Sequence, residues 1–219
     1  MSGLSSDFSN RDYQVKIGDY FGRGWEIFKQ NALQFVLFTL LLVVISALLS
    51  QLPSPIGART SGDTPGLNLA AGILSPILGA GYYFVAFQIA RNRPQGFGDF
   101  FHGFRKFTPI FLTSFVANIL IAIGFVFLIL PGIYLAVAYL FAQPFVIDKN
   151  LGFWSAMETS RKLITKRWFS FLGLILLLFL LNLAGAIALG VGLLVTIPYS
   201  SCIVAAAYED IVGLNSVAE

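Results

Sequence analysis

Few side chains in this sequence could carry chemistry. His102 is the only histidine and Cys202 the only cysteine. A metal site needs several His, Cys, Asp or Glu side chains converging on one point, and a nucleophile needs a base within reach. His102 stands between Phe101 and Gly103 on a charged segment, where a solvent-facing polar residue is a simpler reading than a general base. Cys202 lies inside an apolar run; a single cysteine excludes an intrachain disulfide and suits a small packing residue. No Gly-x-Ser-x-Gly, His-Glu-x-x-His or phosphate-loop pattern occurs. No catalytic, cofactor-binding or metal-binding residue is assigned, no cofactor is expected, and the chain is not expected to be an enzyme. Two other constellations remain. Asn118, Gln143, Asn182 and Tyr199 are polar groups inside apolar runs that could line a cavity, although an amide bonding to a neighbouring helix is the commoner use. Arg161, Lys162, Lys166 and Arg167, flanked by Trp154 and Trp168, are candidate lipid-headgroup contacts, each cation near an anionic leaflet contributing ~1 kcal/mol of attraction.

The elements that position these groups follow from composition. Of 219 residues, 57% are apolar and 11% charged, against roughly 25% charged in ordinary soluble domains, and the mean hydropathy is +0.79. That excludes a soluble enzyme. Four intervals carry no charge or histidine, residues 30–58, 64–90, 107–147 and 168–208. A helix rises 1.5 Å per residue, so ~20 residues cross the hydrocarbon core, and the last two intervals each hold two crossings. Leu130-Pro131-Gly132 and Gly190-Val191-Gly192 supply their breaks. The expected spans are 32–50, 67–90, 108–130, 131–147, 168–189 and 191–212. Backbone groups in lipid must be satisfied within helices or closed barrels, and the solid apolar block from Leu174 to Leu181 lacks the alternation of a barrel strand. The fold class is therefore all-α, a polytopic membrane protein with six transmembrane helices in three hairpins.

Thirteen of the fourteen Lys and Arg residues fall before the first span, between the second and third, or between the fourth and fifth; only Arg59 falls on the other side. The positive-inside rule places both termini in the cytoplasm. Trp25, Trp154 and Trp168 lie in the same cytoplasmic segments, as headgroup-level anchors do. The first 30 residues mix acids and bases without an apolar core, so no removable signal is expected. Residues 1–16 read as a disordered cytoplasmic tail, 17–212 as one membrane domain and 213–219 as a C-terminal tail. The external loop 51–66, rich in Ser, Pro and Gly, reads as loosely ordered.

Each pair of spans is preceded by a short amphipathic segment. Ile17, Phe21, Gly24, Trp25 and Phe28 share a face in the first. Phe97, Phe100, Phe101, Phe104 and Phe107 form a stripe in the second, and Phe153, Met157, Ser160, Ile164 and Trp168 one in the third. Such segments, too short to cross and basic on their polar side, lie in the interface. A proline recurs in each returning span, Pro76, Pro131 and Pro198. The unit is thus an internal repeat of surface helix, outgoing span and returning span over 17–91, 97–148 and 153–212. Ser155-x-x-Glu158 has the spacing of a capping box for the third surface helix.

The stretch Leu130-Pro131-Gly132-Ile133-Tyr134-Leu135-Ala136-Val137, followed by Phe145-Val146-Ile147-Asp148 and Ser155-Ala156-Met157-Glu158-Thr159-Ser160-Arg161-Lys162-Leu163, resembles a known group. It is similar to the bacterial membrane domain that accompanies some glycerophosphoryl diester phosphodiesterases and also occurs alone as six-span proteins. Phe21-Gly22-Arg23-Gly24-Trp25, Phe100-Phe101-His102-Gly103-Phe104 and Ala207-Tyr208-Glu209-Asp210 extend the similarity over most of 17–212. The resemblance implies an inner-membrane location. It implies no phosphodiesterase activity, because that chemistry belongs to a separate soluble barrel that these residues do not contain. Some relatives carry a basic residue about where Ala138 stands, so that residue's role does not carry over.

The expected function is non-enzymatic: membrane organisation, lipid interaction or support of a membrane complex, with membrane lipids, anionic phospholipids among them, and a membrane protein as partners and no nucleic acid. The alternative is a small-solute or lipid transporter or channel component built on the polar residues of the spans.

Overall fold

The computed structural model describes residues 13–50, 69–188 and 190–214, with the side chains of 49–50 and 69–73 left aside. The external loop with Arg59, most of the N-terminal tail and residues 215–219 of the C-terminal tail lie outside the described residues. All described regular structure is helical: α1 (Ile17–Gln30), α2 (Ala32–Ser50), α3 (Leu69–Ala90), a 3-10 helix (Phe97–Lys106), α4 (Phe107–Phe127), α5 (Ile129–Ala138), α6 (Ala142–Lys149), α7 (Phe153–Thr165), α8 (Trp168–Ile187) and α9 (Leu193–Val212).

The last helix is the centre of the molecule. From Cys202 to Tyr208 every residue of α9 is buried, and the helix packs against α1, α2, α3 and α8. Three consecutive alanines, 205–207, let neighbouring backbones approach, as small residues do between helices in lipid. The outer helices are the reverse: Leu33, Leu37 and Leu40 of α2, Phe115 and Phe127 of α4, and Leu176, Phe179 and Ile187 of α8 all face outward. Apolar surface that broad is not sustained in water, and the chain reads as a membrane-embedded helical protein.

Among the described residues, three helical stretches are long and apolar enough to cross a bilayer, Phe97–Phe127, Ile129–Lys149 and Trp168–Ile187. A fourth joins them if Ile17–Gln30 and Ala32–Leu48, bent by 85° at their junction, count as one span. Among the described residues α9 falls short of the composition of a lipid-facing span. It carries Thr196, Ser200, Ser201, Glu209 and Asp210. A helix lined by protein on most sides is free of the requirement to be greasy.

Two local readings change. The stretch expected as one helix over 131–147 is divided into α5 and α6 by a turn between Ala138 and Ala142. Pro144 is the cause: it has no N–H to donate to the Leu140 carbonyl, and its ring crowds that oxygen. The break is bridged by Ser160 of α7, whose Oγ donates to Ala138 O at 2.7 Å and accepts from Phe141 N–H at 3.2 Å. The Ser155 capping box does not form. α7 starts at Phe153 after Gly152, so Ser155 is already inside the helix, and Glu158 turns instead to Arg161 and Lys162.

Each surface segment packs on a returning helix. α1 lies on α9, the 3-10 helix on α3, and α7 on α6. α1 runs antiparallel to α9: Tyr20 Oη donates to Asp210 Oδ2 at 3.0 Å, while the ring of Tyr199 sits among Phe21, Trp25 and Phe28. Gly24 permits this approach, since a Cβ there would lie 2.8 Å from Ile203 Cγ1 and 2.9 Å from its Cα. A Cβ on Gly81 or Gly103 would likewise meet Phe100 O at 2.2 Å or Ile77 O at 2.4 Å, which holds the 3-10 helix against α3. The centres of the apolar stripes are thus spent on protein packing, leaving Trp25, Phe97, Phe104 and Trp154 at the surface. A residue with positive φ follows each of α3, α6 and α9, Asn92, Asn150 and Gly213, and at Asn150 it is the left-handed turn that commonly terminates helices.

Candidate functional site

The C-terminal ends of α3, α6 and α9 meet in a polar cluster that spacing alone did not reveal. Asp148, at the end of α6, has no exposed side-chain surface. Its Oδ1 pairs with the Arg91 guanidinium just past α3, and its Oδ2 accepts from Tyr208 Oη of α9 at 3.2 Å and lies 3.0 Å from Lys149 Nζ. Lys149 also donates to Gly213 O at 2.8 Å. A buried carboxylate is tolerated only when paired and hydrogen-bonded, and here one residue from each hairpin contributes. Tyr208 is in turn ringed by Phe87, Phe141 and Phe145.

Beside this cluster opens a pocket of about 550 Å³ between α3, the 3-10 helix and the end of α6. Phe84 and Phe87 form its apolar side; Arg91, Arg93, Lys106 and His102 supply nitrogen, and Asp99 and Asp148 carboxylate. Lys106 Nζ donates to Ile147 O at 2.7 Å and to Asn150 Oδ1. His102 Nδ1 lies 3.5 Å from Asp99 Oδ1, and its ring stands edge-on to Phe84. The only histidine therefore does sit in a pocket, but its neighbours are a single carboxylate and cations. Among the described residues no three His, Cys, Asp or Glu side chains converge as metal ligands would.

The polar residues predicted from the spans fall into two places rather than one. Asn118 and Gln143 meet around Ser114: Asn118 Nδ2 donates to Ser114 O at 2.8 Å and Gln143 Nε2 to Ser114 Oγ at 2.6 Å. They line a cleft of about 380 Å³ with Ser75, Tyr83 and Ser201, on α3 and α9. Asn182 stays with its own hairpin, donating to Leu178 O and Ser200 Oγ, each at 2.8 Å. Tyr199 donates to Phe21 O at 3.0 Å and serves the α1 contact. Cys202 is wholly buried.

The predicted basic rim is less free than its residue types imply. Glu158 accepts from Arg161 at 2.8 and 3.0 Å and pairs with Lys162 at 3.3 Å; the Arg161 hydrogen bond holds the Glu158 carboxyl below its ordinary value. Lys166 and Arg167 are exposed, as is Trp154. Trp168 stacks on Tyr134 and donates from Nε1 to Tyr134 O at 3.4 Å, so it holds α5 to α8 as well as facing outward. Below this rim Tyr13 donates to Leu163 O at 2.7 Å, and burial pushes its phenol up to about 12.

No family model, no curated protein and no solved structure matches this chain. The functional reading therefore rests on the geometry.

The signal for the Arg91–Asp148–Tyr208 cluster was present in the sequence. Arg91, Asp148 and Tyr208 each stand near the C-terminal end of an apolar run, and only the three-dimensional packing of α3, α6 and α9 brings those ends together.

Proposed function

We propose that this chain is a non-enzymatic inner-membrane protein of six spans in three repeated hairpins, with both termini in the cytoplasm, which binds anionic phospholipid headgroups and so organises the membrane or a complex within it. The observation that carries this reading is the exposure of Trp25, Phe104 and Trp154 on the three segments that also hold most of the basic residues. Aromatic rings and cations at one level match the headgroup region of a cytoplasmic leaflet, where each basic group contributes ~1 kcal/mol. Support for the repeat comes from the shared packing of each surface segment on a returning helix and from the positive-φ residue that follows each of those helices. The resemblance to the stand-alone membrane domain belongs to the same proposal and rests on the Pro131-Gly132 pair, which lies in the first turn of α5 rather than in a loop, and on the basic segment after Asn150.

The test is mass spectrometry of lipids retained in gentle detergent, comparing the wild type with a variant in which Arg161, Lys162, Lys166 and Arg167 are all changed to Gln. Enrichment of anionic over zwitterionic phospholipid in the wild type, reduced in the variant while Cys202 stays protected from thiol reagents, is the expected result. Equal lipid profiles refute the reading.

A second reading, a small-solute or lipid transporter, is favoured by one observation: Asn118 is exposed in the middle of α4 beside Gln143 and Ser114. An amide facing hydrocarbon is costly unless the cleft it lines holds polar groups. Solute or lipid flux in reconstituted vesicles, abolished by N118L and Q143L, decides for it.

A further inference from the structure

The pocket of about 550 Å³ between α3, the 3-10 helix and α6 has the size of ordinary ligand sites, ~300–1,000 Å³. Its charges do not balance. Asp148 is engaged by Arg91 and Lys149, while Asp99 accepts from the Gly96 amide at 2.8 Å and lies 3.5 Å from His102 Nδ1. Arg93, on the rim, has no ion pair among the described residues, and Lys106 bonds only neutral oxygens, those of Ile147 and Asn150. Two cations therefore face one pocket without a carboxylate of their own. The wall is also incomplete in its hydrogen bonds: Arg91 Nε is a buried donor and Gln88 Oε1 a buried acceptor, and neither has a partner. Both residues line this pocket, and buried polar atoms are almost always paired, so the open donor and the open acceptor call for a ligand that supplies both. Arg93, Arg91 and Lys106 offer the donor forks and point charges that bind phosphate.

We propose that this pocket binds a phosphate monoester or phosphate itself, with Arg93 and Lys106 supplying the charge, Arg91 Nε a hydrogen bond to a phosphate oxygen, and Gln88 Oε1 accepting from the remaining P–OH. Phe84 and Phe87 then take the carbon next to the phosphate. The site is separate from the basic rim of α7 and rests on the membrane reading above only for the source of the phosphate, a lipid headgroup or a soluble ion.

The test uses the full-length protein in detergent, titrated by calorimetry with inorganic phosphate and, separately, with dihexanoyl phosphatidic acid below its micellar concentration. Saturable binding of either probe is expected, with R93Q weakening it at least tenfold and K106M abolishing it, while R161Q leaves it unchanged. Because Lys106 also ties the 3-10 helix to α6, K106M counts only if Cys202 remains protected; R93Q, an exposed residue, carries the test otherwise. Binding of both probes, or of phosphatidic acid alone, assigns the site to a lipid phosphate. Binding of inorganic phosphate alone assigns it to a soluble ion, which supports this site without supporting the lipid function. Absence of saturable binding, or affinity in R93Q equal to the wild type, overturns the proposal. Absence of saturable binding of either probe, beside lipid retention that is still lost with the four α7 cations, overturns this site while leaving the proposed function standing.

Discussion

Replacing Asp148 by leucine exposes how the three hairpins are held together at one end. The substitution removes the acceptor for Arg91, Lys149 and Tyr208 at once. Arg91 keeps only 18% of its side-chain surface and Lys149 8%, so neither cation recovers its hydration in place. Breaking a buried ion pair by removing one partner costs about 3–5 kcal/mol, because the remaining charge is stranded. R91M removes one donor but leaves Asp148 with Lys149 and Tyr208, and its cost is that of a charged hydrogen bond, about 1.5–3 kcal/mol. D148L is therefore the more destabilising, by on the order of 2 kcal/mol, and for a chain of this length its midpoint falls by on the order of 10 °C. Adding R91M to D148L makes matters no worse, since it takes away a stranded charge. The assay is built into the chain: Cys202 is the only thiol and is fully buried, so a thiol-reactive fluorophore reports unfolding in detergent during a thermal ramp. If D148L and R91M melt together, or if the double variant shows the sum of the two losses, the cluster does not hold the helix ends as described.

Three further outcomes follow from the packing. Valine at Gly103 forces the 3-10 helix off α3, since even a Cβ would lie 2.4 Å from Ile77 O; a loss of about 1–3 kcal/mol is expected, against no loss for G98A, which meets nothing within 4 Å, both read by Cys202 reactivity. S160A strands the Ala138 carbonyl and the Phe141 amide at the helix break, costing about 1–3 kcal/mol, and hydrogen exchange should rise at Phe141 rather than throughout α6. Glu158 has a depressed carboxyl pKa through the Arg161 hydrogen bond, so its contribution is present above the ordinary value of 4.5 and fades as pH falls through the lower folded value. The pair is solvent-screened and worth only about 0.3–0.5 kcal/mol, and E158Q should remove that slope from the pH dependence of the melting midpoint.

Much of the architecture was legible in the residues. The helix ends near Gln30, Ala90, Trp168 and Val212 follow from where charges and tryptophans interrupt apolar runs, which is a local signal. The break at Ala138 was legible in principle, because Pro144 forbids the fourth turn back, but the surrounding apolar run masked it. The pairing of Asn118 with Gln143 required only that α4 and α6 be neighbours, and the hairpin supplies that. What stayed hidden is set by distant pairing: Arg91 is 57 residues from Asp148, and Tyr208 a further 60. Helical periodicity fixes which face a residue occupies, not which helix that face will meet. The same limit separates Asn182 and Tyr199 from the cleft, since each is satisfied by a neighbour its own spacing could not name.

The contact between α1 and α9 joins Tyr20 to Asp210, 190 positions apart. At synthesis rates of about 5–20 residues per second, Ile27 and Phe28 wait roughly 10–40 s after leaving the ribosome before Ile203 and Tyr199 exist to cover them. During that interval Phe28 has only neighbouring helices, such as α2 at Phe35, to pack on, and the α9 surface that meets Gly24 is missing. Docking of α1 on α9 must then follow synthesis of the last helix, and a chain interrupted before Ile203 leaves the α9-facing side of α1 uncovered.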